Sequence, residues 1–124
     1  MKKILLLSCI VTLLSGCSTI SNIFMAPYDT NEYKLVNQVR TIAEVQKCDP
    51  ASIDTLYNTA LEAKNFSEYL PRNDKTISMM NDLFTLVDEL HKKNNPSATY
   101  CKLKLNIIGK SAEDIQQVIG NRPR

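Results

Sequence analysis

Apolar residues recur at helical spacing along most of the chain and predict an all-α fold. The first helix is predicted to begin near Asp29 and to end near Cys48. Asp29 and Glu32 have the spacing of a capping box, and Tyr28 and Tyr33 have that of a hydrophobic staple. The apolar stripe of this helix consists of Leu35, Val36, Val39, Ile42 and Ala43.

Two more helices are predicted from the same periodicity. The second begins at Asp49-Pro50, because Asp is a good N-cap and Pro a good first helical residue, and it ends near Tyr69, before Pro71. The third begins at residue 73 or 74 and places His91 in its last turn, where positive charge suits the helix dipole. The clearest apolar stripe of the chain lies in this third helix and consists of Ile77, Met80, Leu83, Phe84, Val87 and Leu90.

The remaining residues predict a fourth helix and a short fifth one. Ser97–Ile108 has helical spacing, and its alternation at 103–105 also fits a strand, but a single strand would have no partner, so we interpret it as helix. Gly109 is predicted to break this helix, and Ser111 to open a short helix that ends at Gly120. Short connections favour antiparallel neighbours, so the pattern predicts a small antiparallel bundle of about four helices plus a short C-terminal helix.

The start of the chain predicts export rather than a membrane span. Met1–Lys3 is positively charged, and Ile4–Leu14 is an apolar run of eleven residues. A spanning helix needs about 20 residues, whereas a run of this length is typical of a secretory signal. The sequence Leu-Ser-Gly-Cys at 14–17 then resembles the lipobox of bacterial lipoproteins.

This resemblance implies covalent lipidation of Cys17. In the family the signal peptide, here 1–16, is cut off before the cysteine, whose thiol receives a diacylglycerol and whose new amino group is acylated, with palmitate as a typical chain. Ser18 implies transfer to the periplasmic face of the outer membrane, because in the family Asp at that position favours inner-membrane retention. The alternative is an ordinary secretory signal in which Cys17 is incidental.

Cleavage at this point changes the charge balance and defines the domains. Residues 17–28 would be the lipidated cysteine and its tether, 29–120 the helical domain and 121–124 a flexible tail. Losing Lys2 and Lys3 leaves 15 − 2 = 13 basic against 13 acidic residues, so no nucleic-acid binding is expected. Four apolar residues of the tether either contact lipid headgroups or pack on the domain: Ile20, Ile23, Phe24 and Met25.

The remaining cysteines predict one disulfide. Cys9 leaves with the signal peptide and Cys17 carries the lipid, so Cys48 and Cys101 form an even pair in an oxidising compartment. The antiparallel helix order independently places both at one end of the bundle. The alternative is two unpaired buried thiols. A zinc site is not expected, because two cysteines and the lone His91 cannot supply four ligands.

No catalytic constellation is found in the sequence. It contains no GxSxG, HExxH, GxxxxGK[ST] or GxGxxG motif, and neighbouring carboxylates such as Asp88-Glu89 point about 100° apart on a helix. We therefore expect no enzymatic activity, no small-molecule substrate, no metal, and no cofactor other than the covalent lipid on Cys17.

Aromatic and methionine side chains of the second and third helices are candidates for a partner surface, because such residues in an exposed groove would dock a helix. The alternative is that they belong to the core or its rim. The basic clusters at 92–93 and 122–124 are either solvated or contact anionic headgroups or an acidic partner. The candidate surface residues are Tyr57, Tyr69, Met79 and Met80.

Two resemblances concern the body of the protein. The lipobox, a cysteine after the first helix, and Tyr-Cys-Lys-Leu-Lys at 100–104 resemble small lipoproteins of tailed phages and prophages, a group without an assigned activity. The order of helices is also similar to the pilotins of type II secretion, which carry a secretin subunit to the outer membrane. In pilotins a disulfide ties the first helix to the last, which implies that pairing for Cys48 and Cys101. The tether is shorter than in pilotins, and the helical part after Cys101 is longer.

The expected function is a non-enzymatic protein-interaction module anchored in the outer membrane. Its lipid would bind the membrane, and its helical body would bind a periplasmic or outer-membrane protein. A phage-encoded form could act in superinfection exclusion or assist lysis. The alternatives are a pilotin-like targeting lipoprotein and an outer-membrane spanin subunit.

Overall fold

The computed structural model of the protein describes residues 25–124, which form four α-helices and no strand. The signal peptide and Cys17 lie outside the described residues, as do Ile20, Ile23 and Phe24. The predicted all-α fold class is confirmed. The helices are α1 (Thr30–Val45), α2 (Pro50–Tyr69), α3 (Asp74–Lys92) and α4 (Ala98–Gly120).

Each helix packs against two neighbours, so that α1 contacts α2 and α4, and α3 contacts the same two helices. The connections 46–49, 70–73 and 93–97 have four, four and five residues, and connections this short make successive helices antiparallel. At one end, the disulfide end, α1 and α3 finish while α2 and α4 begin. At the other, the terminal end, lie residues 25–29 and 121–124.

The core is built from the apolar stripes of all four helices. Burial of each such side chain contributes about 1.5–3 kcal/mol, which is why the 3.6-residue periodicity fixes the faces that meet. The largest fully buried apolar side chains are Val36, Val39, Leu56, Met80, Leu83, Val87, Leu90, Leu105, Ile108, Ile115 and Ile119.

The predicted helix starts are confirmed at Asp29 and Asp49. The two aspartates are N-caps, and their carboxylates accept hydrogen bonds from the Glu32 and Ser52 backbone N–H groups, each at 2.9 Å. Tyr28 and Tyr33 pack together as a staple does, with ring centres 6.0 Å apart. Both helices therefore begin where local sequence signals place them.

The predicted break at Gly109 is wrong, because Ala98–Gly120 is one continuous helix. Gly109 is buried against α1, where a β-carbon on it would lie 3.7 Å from the Ala43 Cβ. Glycine costs a helix interior only about 1 kcal/mol, which the core packing of the flanking turns outweighs. Ser111 therefore starts no helix of its own.

The predicted flexible tail, residues 121–124, instead packs on the bundle. Arg122 is buried, and the Pro123 carbonyl accepts a hydrogen bond from the Tyr28 backbone N–H at 2.9 Å. The Arg124 guanidinium lies 4.7 Å from the centre of the Tyr28 ring. The physical reason is a buried carboxylate, Glu32, that attracts the Arg122 side chain.

Candidate functional site

Five polar side chains meet inside the bundle at the terminal end. They belong to α1, α2, the 70–73 connection, α3 and the C-terminal segment, and each is buried. We call this group the polar cluster; its members are Glu32, Ser67, Asn73, Thr76 and Arg122.

Hydrogen bonds join all members of the polar cluster. The Glu32 Oε1 atom accepts from Ser67 Oγ at 2.8 Å and from Asn73 Nδ2 at 2.7 Å, while its Oε2 atom accepts from Arg122 Nη1 at 2.5 Å. Arg122 Nη2 donates to Asn73 Oδ1 at 2.5 Å and to Thr76 Oγ1. Every buried side-chain nitrogen and oxygen in residues 25–124 has a partner. A carboxylate with this many donors holds α1, α2 and the C-terminal segment together at the terminal end, and its oxygens have no free face for a substrate.

The sequence contained a signal for Glu32 that its capping-box interpretation missed. Glu32 precedes Val36, Val39 and Ala43 at helical spacing, so it lies on the buried stripe of α1. A glutamate on such a stripe needs a buried cation, because an unpaired buried charge is costly. Its partner, Arg122, is 90 residues away, and no local pattern points to it.

The candidate partner surface is not brought together as predicted. Met80 is 0% exposed and belongs to the core, so the prediction that it lines an exposed groove is wrong; it lies on the apolar stripe of α3. Tyr69 is 86% exposed at the end of α2. Tyr57 lies 12 residues earlier on the same helix, about 18 Å away along its axis. Met79 is half-buried and packs against the core.

His91 lies in the last turn of α3, as predicted, and it also connects α3 to α2. Its Nε2 atom is 2.9 Å from Asp54 Oδ1, and its ring stacks on Tyr57 with centres 4.2 Å apart. These contacts occupy the imidazole in a helix–helix link at the disulfide end.

The predicted Cys48–Cys101 disulfide is present in the structure. It joins the connection after α1 to the first turn of α4, and Cys101 is fully buried. The first turn of α4 is further fixed by Ser97, whose Oγ accepts from the Tyr100 backbone N–H at 3.1 Å. Both ends of the bundle are thus held by contacts distant in sequence.

Two apolar side chains of α4 face outward next to this disulfide. Leu103 is 58% exposed and Ile107 is 44% exposed, and a separation of four residues places them on the same side of the helix. Lys104 Nζ donates to Glu89 Oε2 at 2.5 Å, and this hydrogen bond raises the pKa of the Lys104 ammonium. This ion pair connects α4 to α3 beside the two exposed side chains.

The concave features of residues 25–124 are open to solvent. A groove of about 460 Å³ between α1 and α4 is lined by Tyr33, Arg40 and Gln116 among others. Arg40 is already engaged, since its Nε donates to Glu44 at 2.7 Å and its Nη1 to Gln116 at 3.2 Å. In this described part of the chain no group of three or more His, Cys, Asp or Glu residues is placed to hold a metal ion. None of its helices is long and apolar enough to cross a bilayer.

Neither family models, curated proteins nor solved structures gave a match to this chain. The ionisable groups with defined partners are the polar cluster, the His91–Asp54 link and exposed ion pairs such as Lys92–Asp88. The first two join helices, whereas ion pairs such as Lys92–Asp88 lie within one helix. Exposed side chains remain on all four helices for contact with other molecules. The large exposed apolar ones in residues 25–124 are Met25, Val45, Tyr69, Leu103 and Ile107.

Proposed function

We propose that this protein is a lipid-anchored, non-enzymatic interaction module on the periplasmic face of the outer membrane. The single observation that supports it most is the Cys48–Cys101 disulfide. Disulfides persist in oxidising compartments, and the export signal and lipobox direct the chain to such a compartment.

The arrangement of charges also supports a binding role. The buried carboxylate of Glu32 accepts hydrogen bonds within the protein and is not available to another molecule. The outer faces of the helices, in contrast, carry exposed apolar side chains such as Tyr69 and Leu103. A rigid body with stabilised ends presents such groups at low entropic cost, which favours docking to another protein.

Metabolic labelling with palmitate tests the anchor. The wild-type chain should incorporate label and partition with membranes, and Cys17→Ala should do neither. Ser18→Ala, which keeps the thiol, is the matched control and should be labelled like the wild type. Equal labelling of wild type and Cys17→Ala would remove the lipoprotein proposal.

Affinity purification of the lipidated chain from membranes tests the interaction. We expect a stoichiometric periplasmic or outer-membrane protein to co-purify after mild detergent extraction. If no partner co-purifies and the purified chain turns over an envelope substrate, the proposed interaction module is wrong and the protein is an enzyme.

A pilotin-like role is the second candidate, because the disulfide ties the segment after the first helix to the last helix. This candidate requires that a secretin subunit co-purifies and that its delivery to the outer membrane fails without the chain. In the phage-encoded alternatives, neighbouring genes for holin and endolysin would instead favour a lysis role or a spanin subunit. Resistance of producing cells to a second phage would favour superinfection exclusion.

A further inference from the structure

We propose that the outward face of the first half of α4 is a docking surface for an acidic, amphipathic segment of a partner protein. This inference rests on the proposed function, and it names the surface and the chemistry of the partner. The surface, called here the α4 face, consists of Tyr100, Leu103 and Ile107 with Lys93 and Lys102 at its edges.

The apolar part of the α4 face is continuous along the helix. Tyr100, Leu103 and Ile107 are spaced by three and four residues, so they form one stripe. Leu103 and Ile107 point away from the core, because Cys101, Leu105 and other residues of the opposite stripe are buried, and the half-buried Tyr100 joins this stripe to the core. The outer face of a bundle helix is ordinarily polar, and adjacent exposed apolar side chains mark an interaction site.

Positive residues predominate in the part of the sequence that forms the α4 face. Between Glu89 and Glu113 the chain contains His91 and five lysines but no aspartate or glutamate. Lys93 and Lys104 lie 5.3 and 5.9 Å from the centre of the Tyr100 ring, measured from their Nζ atoms.

Part of this positive charge is not neutralised within the chain. Lys104 pairs with Glu89, and Lys110 pairs with Glu113 and Asp114. Lys93 and Lys102, in contrast, form no ion pair within residues 25–124. A partner segment with apolar side chains flanked by carboxylates complements this surface in both respects.

The position of the α4 face favours a protein over the lipid surface. Leu103 precedes Gly120 by 17 residues of helix, about 26 Å along the axis, and Gly120 is at the terminal end. Seven residues, 18–24, separate Cys17 from the described chain, and the eight steps from Cys17 to Met25 reach about 28 Å at most. The anchor proposed at Cys17 therefore attaches at the terminal end, whereas the α4 face lies toward the opposite, disulfide end of the bundle.

Site-specific photocrosslinking in the cells that naturally produce the chain tests the proposal. A benzoylphenylalanine is placed at Leu103 of the full-length protein, and the control carries it at Asn58, which is exposed on α2. Irradiation at position 103 should give an adduct with one protein, and the cross-linked peptide should contain more Asp and Glu than Lys and Arg. A synthetic peptide of that segment is then titrated into the purified lipidated protein in detergent.

Charge and apolar contact are separated by matched variants in that titration. Lys102→Glu and Leu103→Ser should each weaken peptide binding roughly tenfold, whereas Lys75→Glu, an exposed lysine on α3, should not. All three positions are exposed, and unchanged thermal unfolding of each variant confirms that the fold is kept.

Several outcomes overturn the proposal. These are adducts with lipid, adducts with a second copy of the chain, equal adducts at positions 103 and 58, or a cross-linked segment that is not acidic. If affinity purification captures a partner while position 103 gives no adduct, the proposed docking role of the α4 face is wrong, whereas the proposed interaction module is retained. If neither method captures a partner, both proposals fall.

Discussion

Arg122 and Glu32 form an ion pair inside the bundle, with Nη1 and Oε2 2.5 Å apart, although 90 positions separate them in the sequence. The side chains are 4% and 0% exposed. The pair therefore connects the last residues of the chain to the first helix in surroundings from which water is excluded. Substitution of either partner is therefore expected to lower the stability of the domain more than substitution of an exposed residue.

Arg122→Met should destabilise the domain strongly. The substitution leaves the Glu32 carboxylate buried without a cation, and breaking one side of a buried pair costs about 3–5 kcal/mol. A small domain has a total stability of only about 5–15 kcal/mol, so the loss should be plain in urea-induced unfolding. Lys75→Met, on the exposed surface of α3, is the control and should change the free energy of unfolding by less than about 0.5 kcal/mol.

Removing the charge of Glu32 as well should restore part of the loss. In the double variant Glu32→Gln, Arg122→Met, the glutamine oxygen still accepts from Ser67 and Asn73, and no uncompensated charge remains. The double variant should therefore be more stable than Arg122→Met alone. A cost of Arg122→Met below about 1 kcal/mol would contradict the structural role of the pair.

Reduction of the disulfide should lower the stability by a comparable amount. Cys48 and Cys101 are separated by 53 positions, and the chain-entropy model gives about 4 kcal/mol for a loop of this length. For a domain of about 100 residues this corresponds to a fall in Tm of roughly 15–30 °C. Thermal unfolding is measured with and without dithiothreitol, and Cys48→Ser, Cys101→Ser should behave like the reduced wild type and be insensitive to reductant. An oxidised Tm that does not exceed the reduced one would mean that the bridge is absent in solution.

Local signals were enough to predict most of the fold. Asp29, Asp49 and Pro71 delimit helices through interactions within a few residues, and these were read correctly. The pairing of Cys48 with Cys101 is predictable because these two cysteines remain once Cys9 is assigned to a signal peptide and Cys17 to a lipid. The antiparallel order of the helices then follows from the short connections between them.

The parts that could not be predicted depend on contacts distant in sequence. The sequence predicts a flexible tail that includes Arg122, because its partner Glu32 is 90 positions away along the chain. The sequence predicts a helix end at Gly109, because the low helix propensity of glycine can be recognised from the local sequence. The packing of this residue against another helix cannot. Met80 is a candidate for the partner surface by residue type but a core residue by its place on the apolar stripe of α3. The periodicity gives the correct prediction.

Gly109→Ala should stabilise the protein. The residue is in the interior of α4, where alanine is favoured over glycine by about 1 kcal/mol. The added methyl group would lie 3.7 Å from Ala43 Cβ and from Glu44 Cγ, which is ordinary van der Waals contact. Urea-induced unfolding should therefore move to higher concentration. Gly109→Val, which adds two further carbons at the same contact, should lose this gain, and a destabilised alanine variant would show that α1 and α4 approach more closely than the structure indicates.

The N-cap at Asp49 should make stability depend on pH. Hydrogen bonds from the Ser52 hydroxyl and backbone N–H lower the pKa of the Asp49 carboxyl in the folded state. Because the folded state prefers the ionised form, the contribution of this group is present above the unfolded pKa of about 4 and is lost as pH falls through the folded value.

Asp49→Asn tests this dependence, since asparagine also caps helices but does not titrate. The wild type should have the higher Tm at pH 7, and the difference should shrink between about pH 5 and pH 2, as the aspartate becomes protonated. Asp82→Asn, at an exposed position of α3, controls for the general effect of removing a carboxylate. A difference in Tm between the wild type and Asp49→Asn that stays constant across that range, while the difference for Asp82→Asn shrinks, would contradict the role of Asp49 as a titrating N-cap.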